Sequence, residues 1–441
     1  MFALAFGGAP LALAMADIRP RGTDRVGTAA QAVRVVAREV PLVATPEPNA
    51  TRRGTLRAGA AATIFGRHRS SGCNGDWLLV GPAAWTCNLP GLFEARASQD
   101  RQTPESWVAI TYARISANGA IGYASFERAE QQLPDAELQP GFLLALVEVR
   151  SIHGEDFART THDIWIAKRE LIELRPGTFE GVEIGDFAAQ LAVTEPTNSK
   201  ASATPSLLAE GHLPIGWVFV DRAVPRRSVA GQSLPQVRLS RLTRVRVLAV
   251  HRHHDRHEWY QIAEGWLSDQ QLRVPTVSLP PDGIGASERW LDVDKHRQTL
   301  VAYVGGTPVF ATLVSTGRGP EDGPTATPSG LHRIWVKLTS TDMDNLDQQN
   351  SASDPVNLPE PYAVEAVPHV MFFLRGYGLH ATYWHDAFGT PQSHGCINLS
   401  PHDAERLFDF TSPRLAPGWQ AVHPYAHDPG TLVRVRSGRN R

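Results

Sequence analysis

The sequence predicts a mainly β protein, built from small barrel-like modules followed by a larger β domain with one short helix. Three observations carry this. The 37 glycines and 33 prolines, against only 20% charged residues, suit a turn-rich globular chain better than a disordered one or a long helical bundle. Apolar residues recur in short runs bounded by turn residues, such as Val33-Arg34-Val35-Val36, rather than in helical stripes. A similar rhythm, with tryptophans near its end, returns along the first two thirds of the chain, as expected for diverged repeats of a small barrel. At 441 residues the length prior is about three domains, and the pattern raises it to four modules.

In chain order, residues 2–16 are apolar and end in Ala14-Met15-Ala16, a small-x-small pattern like a signal-peptidase site ahead of Asp17. Residues 1–16 are thus expected to be a signal peptide, and the product exported to a periplasm or cell envelope. No later run approaches the ~20 apolar residues of a membrane helix, so no membrane span is expected. A net charge of −2 offers no positive field for holding phosphate backbones, which argues against nucleic acid as a partner. In an oxidising compartment Cys73 and Cys87 are expected to form a disulfide across the Trp77-Leu78-Leu79-Val80 run, leaving Cys396 as a lone thiol.

The first module is expected over 30–96, a diverged second over 105–194, a polar linker over 195–206, a third module over 207–274 and a second linker over 275–287. Trp77, Trp85, Trp259 and Trp266 are expected mainly in barrel cores or hairpin packing. The His251–Glu258 run falls between two strand-like runs and reads as a solvated hairpin tip. From residue 288, the runs 290–294, 300–304 and 309–314, the last two joined at Gly305-Gly306, predict successive hairpins in an antiparallel sheet. Residues 338–361, rich in Ser, Asp and Asn, read as a long loop, either an active-site lid or a disordered surface segment. Arg434, Arg436, Arg439 and Arg441 read as a frayed solvated end.

The chemistry concentrates in Gly378-Leu379-His380-Ala381-Thr382-Tyr383-Trp384-His385 and Ser393-His394-Gly395-Cys396-Ile397-Asn398. A nucleophilic cysteine needs an imidazole to take its proton and donors to hold an oxyanion. His380 supplies the first, and the amides of Gly395 and Cys396 are the expected donors. Ser400 as N-cap, Pro401 at the first position and Asp403 in a capping-box-like pair predict a helix just after the nucleophile. Zinc on His380, His385, His394 and Cys396 is the competing reading, although the spacing fits no familiar finger. His385 is expected to line the cleft or cap a turn.

These residues resemble the L,D-transpeptidases with a YkuD-type catalytic domain, whose signature of His, a gap, then Ser/Thr-His-Gly-Cys-x-Asn/Arg runs here from His380 to Asn398. The likeness covers about 288–436, including Thr327-Pro328-Ser329-Gly330, and the earlier segments resemble bacterial SH3-like domains. It implies a β-sandwich catalytic domain with a short helix after the catalytic cysteine. It further implies Cys396 as nucleophile, His380 as base and the Ala381 carbonyl as its orienter, with His394 shaping the site. Ser393, Asn398, Tyr383 and Trp384 become candidates for substrate binding; Asn398 stands where many relatives have Arg. The implied donor is a peptidoglycan tetrapeptide stem, the acceptor a stem amine, a protein amine or water, and carbapenems the expected inhibitors. No metal or organic cofactor is called for. Two other classes compete. In NlpC-type wall peptidases the cysteine precedes the histidine, the reverse of the order here. A degenerate, non-catalytic wall-binding scaffold is opposed by the presence of both His380 and Cys396.

Overall fold

The computed structural model describes residues 31–35, 39–96, 110–185, 211–254, 257–321, 323–346 and 361–437. The expected signal peptide and the 195–206 linker lie outside these residues. Strands dominate, and no described helix is long and apolar enough to cross a membrane.

The C-terminal part is two packed sheets. In the first, Arg289–Asp294, Thr299–Val304 and Thr307–Leu313 form the expected antiparallel meander, and Leu432–Arg436 returns parallel to Arg289–Asp294. In the second, Val336–Asp344 pairs antiparallel with the long strand Ala363–Leu374, which turns through Arg375-Gly376 into Tyr377–Ala381. Alternation puts Leu291, Val293 and Leu300 of one sheet against Met371, Phe373 and Leu379 of the other, the arrangement by which two half-apolar sheets exclude water. The helix Pro401–Phe410 adds Ala404, Leu407 and Phe408 to this core.

That helix begins as its sequence predicts, with Ser400 Oγ accepting from the Asp403 N–H at 3.2 Å. The Asp403 carboxylate is buried; it also bonds with the Ser400 side chain and accepts from the Gly181 N–H (2.8 Å) and from the Thr312 hydroxyl. At the other end Lys337, also buried, donates to the carbonyls of Phe408 and Thr411 and lies 4.2 Å from the Phe408 ring centroid. These carbonyls are orphaned by the end of the helix and take the amine's hydrogens, while burial pulls the Lys337 pKa down to about 7.

Each N-terminal segment shares a core with the C-terminal part. Arg52–Leu56 pairs antiparallel with Trp419–Val422, and Trp419 and Val422 pack with Leu42, Leu56 and Leu78. Gly54 permits this approach, since a Cβ there would lie 2.4 Å from the Ala421 carbonyl oxygen. Leu143 of the strand Leu143–Ile152 meets Val364 in a parallel pairing. Leu213, Ile215 and Trp217 share a core with Trp290, Tyr303 and Phe388. Cys73 and Cys87 form a disulfide. Ala249–Arg252 and Glu258–Ile262 pair antiparallel, with His251 opposite Trp259 and Arg252 opposite Glu258, so both ends of the His251–Glu258 run lie in strands; Asp255 and Arg256 lie outside the described residues. Pairings among the described residues close no barrel in these segments.

Two expectations are corrected. Residues 338–344, expected in a loop, belong to the nine-residue strand Val336–Asp344, whose polar residues are tolerated because the strand is only partly buried there. The remainder of that stretch, 347–360, lies outside the described residues. Arg434 and Arg436 are not a frayed end: their Nε atoms lie 2.7 and 3.1 Å from Oδ1 of the buried Asp292. Arg439 and Arg441 lie outside the described residues. Removing one member of such a buried set strands the others, so Asp292→Ala is expected to cost about 3 kcal/mol, read as a lowered urea midpoint. An unchanged midpoint would show that the arginines are solvated after all.

Candidate active site

Tyr377–Ala381 lies parallel to Ile397–Leu399, with Leu379 opposite Ile397 and His380 opposite Asn398. Neighbouring strands run about 4.8 Å apart, and one more step of this register brings Cys396 beside Gly378. The Cys396 thiol is half-buried, with Sγ 3.8 Å from the Gly376 carbonyl oxygen. Burial pushes its pKa up, while a hydrogen bond with the Gly378 backbone pulls it down.

His380 is buried, and its Nδ1 lies 2.9 Å from the Ala381 carbonyl oxygen. A carbonyl only accepts, so Nδ1 carries the proton and Nε2 keeps its lone pair. Burial pushes the imidazole down to about 4, against a weaker upward pull from the Ala381 carbonyl, so the ring is neutral at pH 7. The indole of Trp384 covers it, with centroids 5.9 Å apart and planes at 27°.

The turn into Cys396 is tightly specified. Gly395 has φ +128°, and a Cβ there would lie 2.6 Å from the Tyr377 ring. The buried Ser393 hydroxyl donates to the Cys396 carbonyl and accepts from the Gly395 N–H at 3.0 Å. Thr327 Oγ1 donates to the Gly395 carbonyl at 2.8 Å and accepts from the Gly317 N–H at 2.8 Å. Two expectations are corrected by these contacts. Ser393 holds the turn rather than facing a substrate, and the Gly395 amide expected in the oxyanion hole is already bonded to Ser393.

His394 Nε2 accepts from Arg318 Nη2 at 2.9 Å, since a guanidinium has no acceptor, and its ring stacks on Tyr362 at 4.9 Å and 12°. Burial, and then Cys396 and Asp344, push the Tyr362 phenol up to about 12.

Asn398 and Tyr383, expected at the substrate, are also corrected. Asn398 is buried, with Nδ2 2.9 Å from His385 Nε2. His385 accepts the Ala387 N–H at Nδ1 (3.1 Å), so its Nε2 carries the proton, and turning the amide over presents Oδ1 as the matching acceptor. Tyr383 is core: its hydroxyl donates to the Glu365 carbonyl at 2.9 Å and its ring stacks on Tyr112. The nitrogens His380 Nδ1, His385 Nδ1 and Nε2 and His394 Nε2 are all engaged within the protein, which opposes the zinc reading; among the described residues no group of three His, Cys, Asp or Glu is arranged to hold a metal.

Three residues here were given no role by sequence reasoning. Thr327 lay in the Thr-Pro-Ser-Gly pattern, a usable signal. Arg318 and Tyr362 carried none, because only tertiary contact brings them to His394.

Residues 288–435 match the family model of the YkuD L,D-transpeptidase catalytic domain. This part of the chain is therefore a catalytic domain of that type. Solved structures similar to the chain include an L,D-transpeptidase from Xylanimonas cellulosilytica, at 20% identity over 36% of this chain and 64% of that one, with TM-score 0.23. The catalytic domain of the Enterococcus faecium L,D-transpeptidase aligns at 22% identity over 34% of this chain and 98% of that one, TM-score 0.24. A Mycobacterium smegmatis L,D-transpeptidase aligns at 16% identity over 66% and 98%, TM-score 0.26. At such scores these superpositions add nothing to the family match. No curated protein matches the chain.

Gly395→Ala is expected to lower stability by about 1–3 kcal/mol, from a left-handed φ and a clash with Tyr377, measured by chemical denaturation. A variant as stable as wild type would show that the turn tolerates a side chain. The fold should also weaken in acid. His380 and His385 sit at about 4, both lowered by burial, against about 6.5 when unfolded. Between those values the unfolded chain binds more protons, so stability is lost as pH falls from about 6.5 to 4. Asp403, raised by burial to about 6, has the opposite sign and offsets one histidine. From these three groups the expected slope is on the order of 1 kcal/mol per pH unit, steeper in Asp403→Asn; His369 and His423, also lowered by burial, add to it and Glu365, raised by burial, opposes it, and denaturation midpoints across this range test its sign.

Proposed function

We propose that this protein is an exported cysteine L,D-transpeptidase acting on peptidoglycan tetrapeptide stems, with Cys396 as nucleophile and His380 as base. The observation that carries the proposal is the state of His380: buried, neutral, fixed by the Ala381 carbonyl in the tautomer that leaves Nε2 basic, on the strand parallel to the one Cys396 enters. A raised thiol pKa suits a nucleophile that stays protonated until a base takes its proton.

The Cys396 proton passes to His380 Nε2 as the sulfur attacks the carbonyl of the third stem residue. The bond to the terminal D-alanine breaks, and its amine leaves with the proton. The acyl group is then a thioester on Cys396. An acceptor amine attacks it, a new amide forms, the C–S bond breaks, and the amine proton returns through His380 to the thiol. A stem amine gives a cross-link, a protein amine gives anchoring, and water gives a trimmed tripeptide. The Cys73–Cys87 disulfide supports export, because such bonds persist in oxidising compartments.

Imipenem is bound by one aligned L,D-transpeptidase, at 14% identity and TM-score 0.26, and serves as a convenient probe. The wild type is expected to gain one carbapenem adduct by intact mass, Cys396→Ala none, and His380→Ala to acylate about 10²- to 10⁴-fold more slowly while staying folded. An equal adduct on Cys396→Ala, or an undiminished rate in His380→Ala, would sink these roles. Incubation with tetrapeptide muropeptides then reports the acceptor: dimers for transpeptidation, tripeptides for hydrolysis.

A further inference from the structure

We infer that Tyr112, in the second N-terminal segment, is a positioning residue for the His380 imidazole, acting through a continuous stack of aromatic rings. The inference rests on the role proposed for His380. Tyr112 stacks on Tyr383 with centroids 3.5 Å apart and planes at 17°. Tyr383 meets the edge of Trp384 at 4.9 Å and 87°, and Trp384 lies over His380 at 5.9 Å and 27°.

Each link needs the one behind it. The hydrogen bond from Nδ1 to Ala381 fixes one edge of the imidazole but not its tilt, so the ring plane is set by what covers its face. Trp384 provides that cover and is only partly buried itself, so Tyr383 must back it. Tyr383 is 2% exposed because Tyr112, 1% exposed, closes its far side. Both phenols are pinned to one strand: Tyr112 donates to the Ala366 carbonyl at 3.2 Å and Tyr383 to the Glu365 carbonyl at 2.9 Å. The Glu365 carboxylate in turn accepts from the Ala145 N–H and the Thr161 hydroxyl, at 3.1 and 3.0 Å. The segment is thereby fastened to that strand on both sides of the ring pair.

The titratable groups around the stack are few. His385, itself neutral at pH 7, is the titratable neighbour of His380, with Asp386 and Arg241 acting on it in turn, and Cys396 enters the adjacent strand. Glu365 and Asp342 act on Tyr383 rather than on the imidazole. Loosening the stack therefore changes chiefly the cover over His380, and water reaching the ring draws its pKa from about 4 back toward the ordinary value of about 6.5.

The test compares full-length wild type with Tyr112→Leu and Tyr112→Phe, each carrying ¹³C-labelled histidine. The His380 resonance, assigned with His380→Gln, is titrated by NMR, and imipenem acylation of Cys396 is followed over the same pH range. The phenyl variant keeps the ring and should titrate like wild type. The leucine variant should titrate at least one pH unit higher, with the acid limb of acylation moving alongside. Wild-type titration in Tyr112→Leu overturns the inference, because a merely structural role lowers the folded fraction without moving the titration of the folded protein. Should Tyr112→Leu not fold, Tyr112→Met, unbranched and adaptable, takes its place. A wild type that never acylates removes the proposed function, while the titration still judges what Tyr112 does to His380.

Discussion

The parallel pairing of Tyr377–Ala381 with Ile397–Leu399 decides which residues can meet, and the other features of the site follow from it. Strand neighbours are fixed to one register by their backbone hydrogen bonds, so placing Leu379 opposite Ile397 also places His380 opposite Asn398. The residue before the second strand is then beside Gly378. A slip of one residue would turn His380 to the other face of its sheet. Much of the surrounding hydrogen bonding protects this register: Ser315 brackets Asn398 from the far side with two backbone bonds, and Ser393 and Thr327 hold the turn that delivers Cys396.

The N-terminal segments are fastened close to that pairing. Arg241 donates to the carbonyls of Asp386 and Phe388, at 3.0 and 3.3 Å, and Arg273 to the carbonyl of Gly389 at 3.0 Å. These grip the chain between His385 and Ser393. Arg297 crosses the other way, reaching Glu258 and Tyr260 at 2.6 and 2.8 Å. Segments whose sequence suggests separate beads are in contact with the catalytic domain through shared cores and charged hydrogen bonds.

What could be read in the sequence was what depends on near neighbours. The Ser400 N-cap and the meander around Gly305-Gly306 owe their form to residues a few positions away, and the Ser-His-Gly-Cys turn was legible as a motif although distant Thr327 and Tyr377 help to shape it. Tyr383 and Asn398 misled because a polar side chain in a motif suggests a substrate, whereas here each is buried by residues distant in sequence or across a turn. Arg434 and Arg436 misled for the same reason: a terminal basic run looks solvated until a buried Asp292 from another strand claims it. Residues 338–344 show that polarity marks a loop poorly when a strand keeps one face half open.

The pairing of Arg52–Leu56 with Trp419–Val422 has a practical consequence for dissecting the protein. A fragment cut to the family match, 288–435, would keep the pairing of Trp419–Val422 with Val336–Asp344 but lose Arg52–Leu56, exposing one unpaired backbone edge and the apolar surface of Trp419. Such an edge recruits other chains. A fragment that keeps this edge covered is therefore expected to include Arg52–Leu56, and a two-piece reconstitution would serve better than a simple truncation.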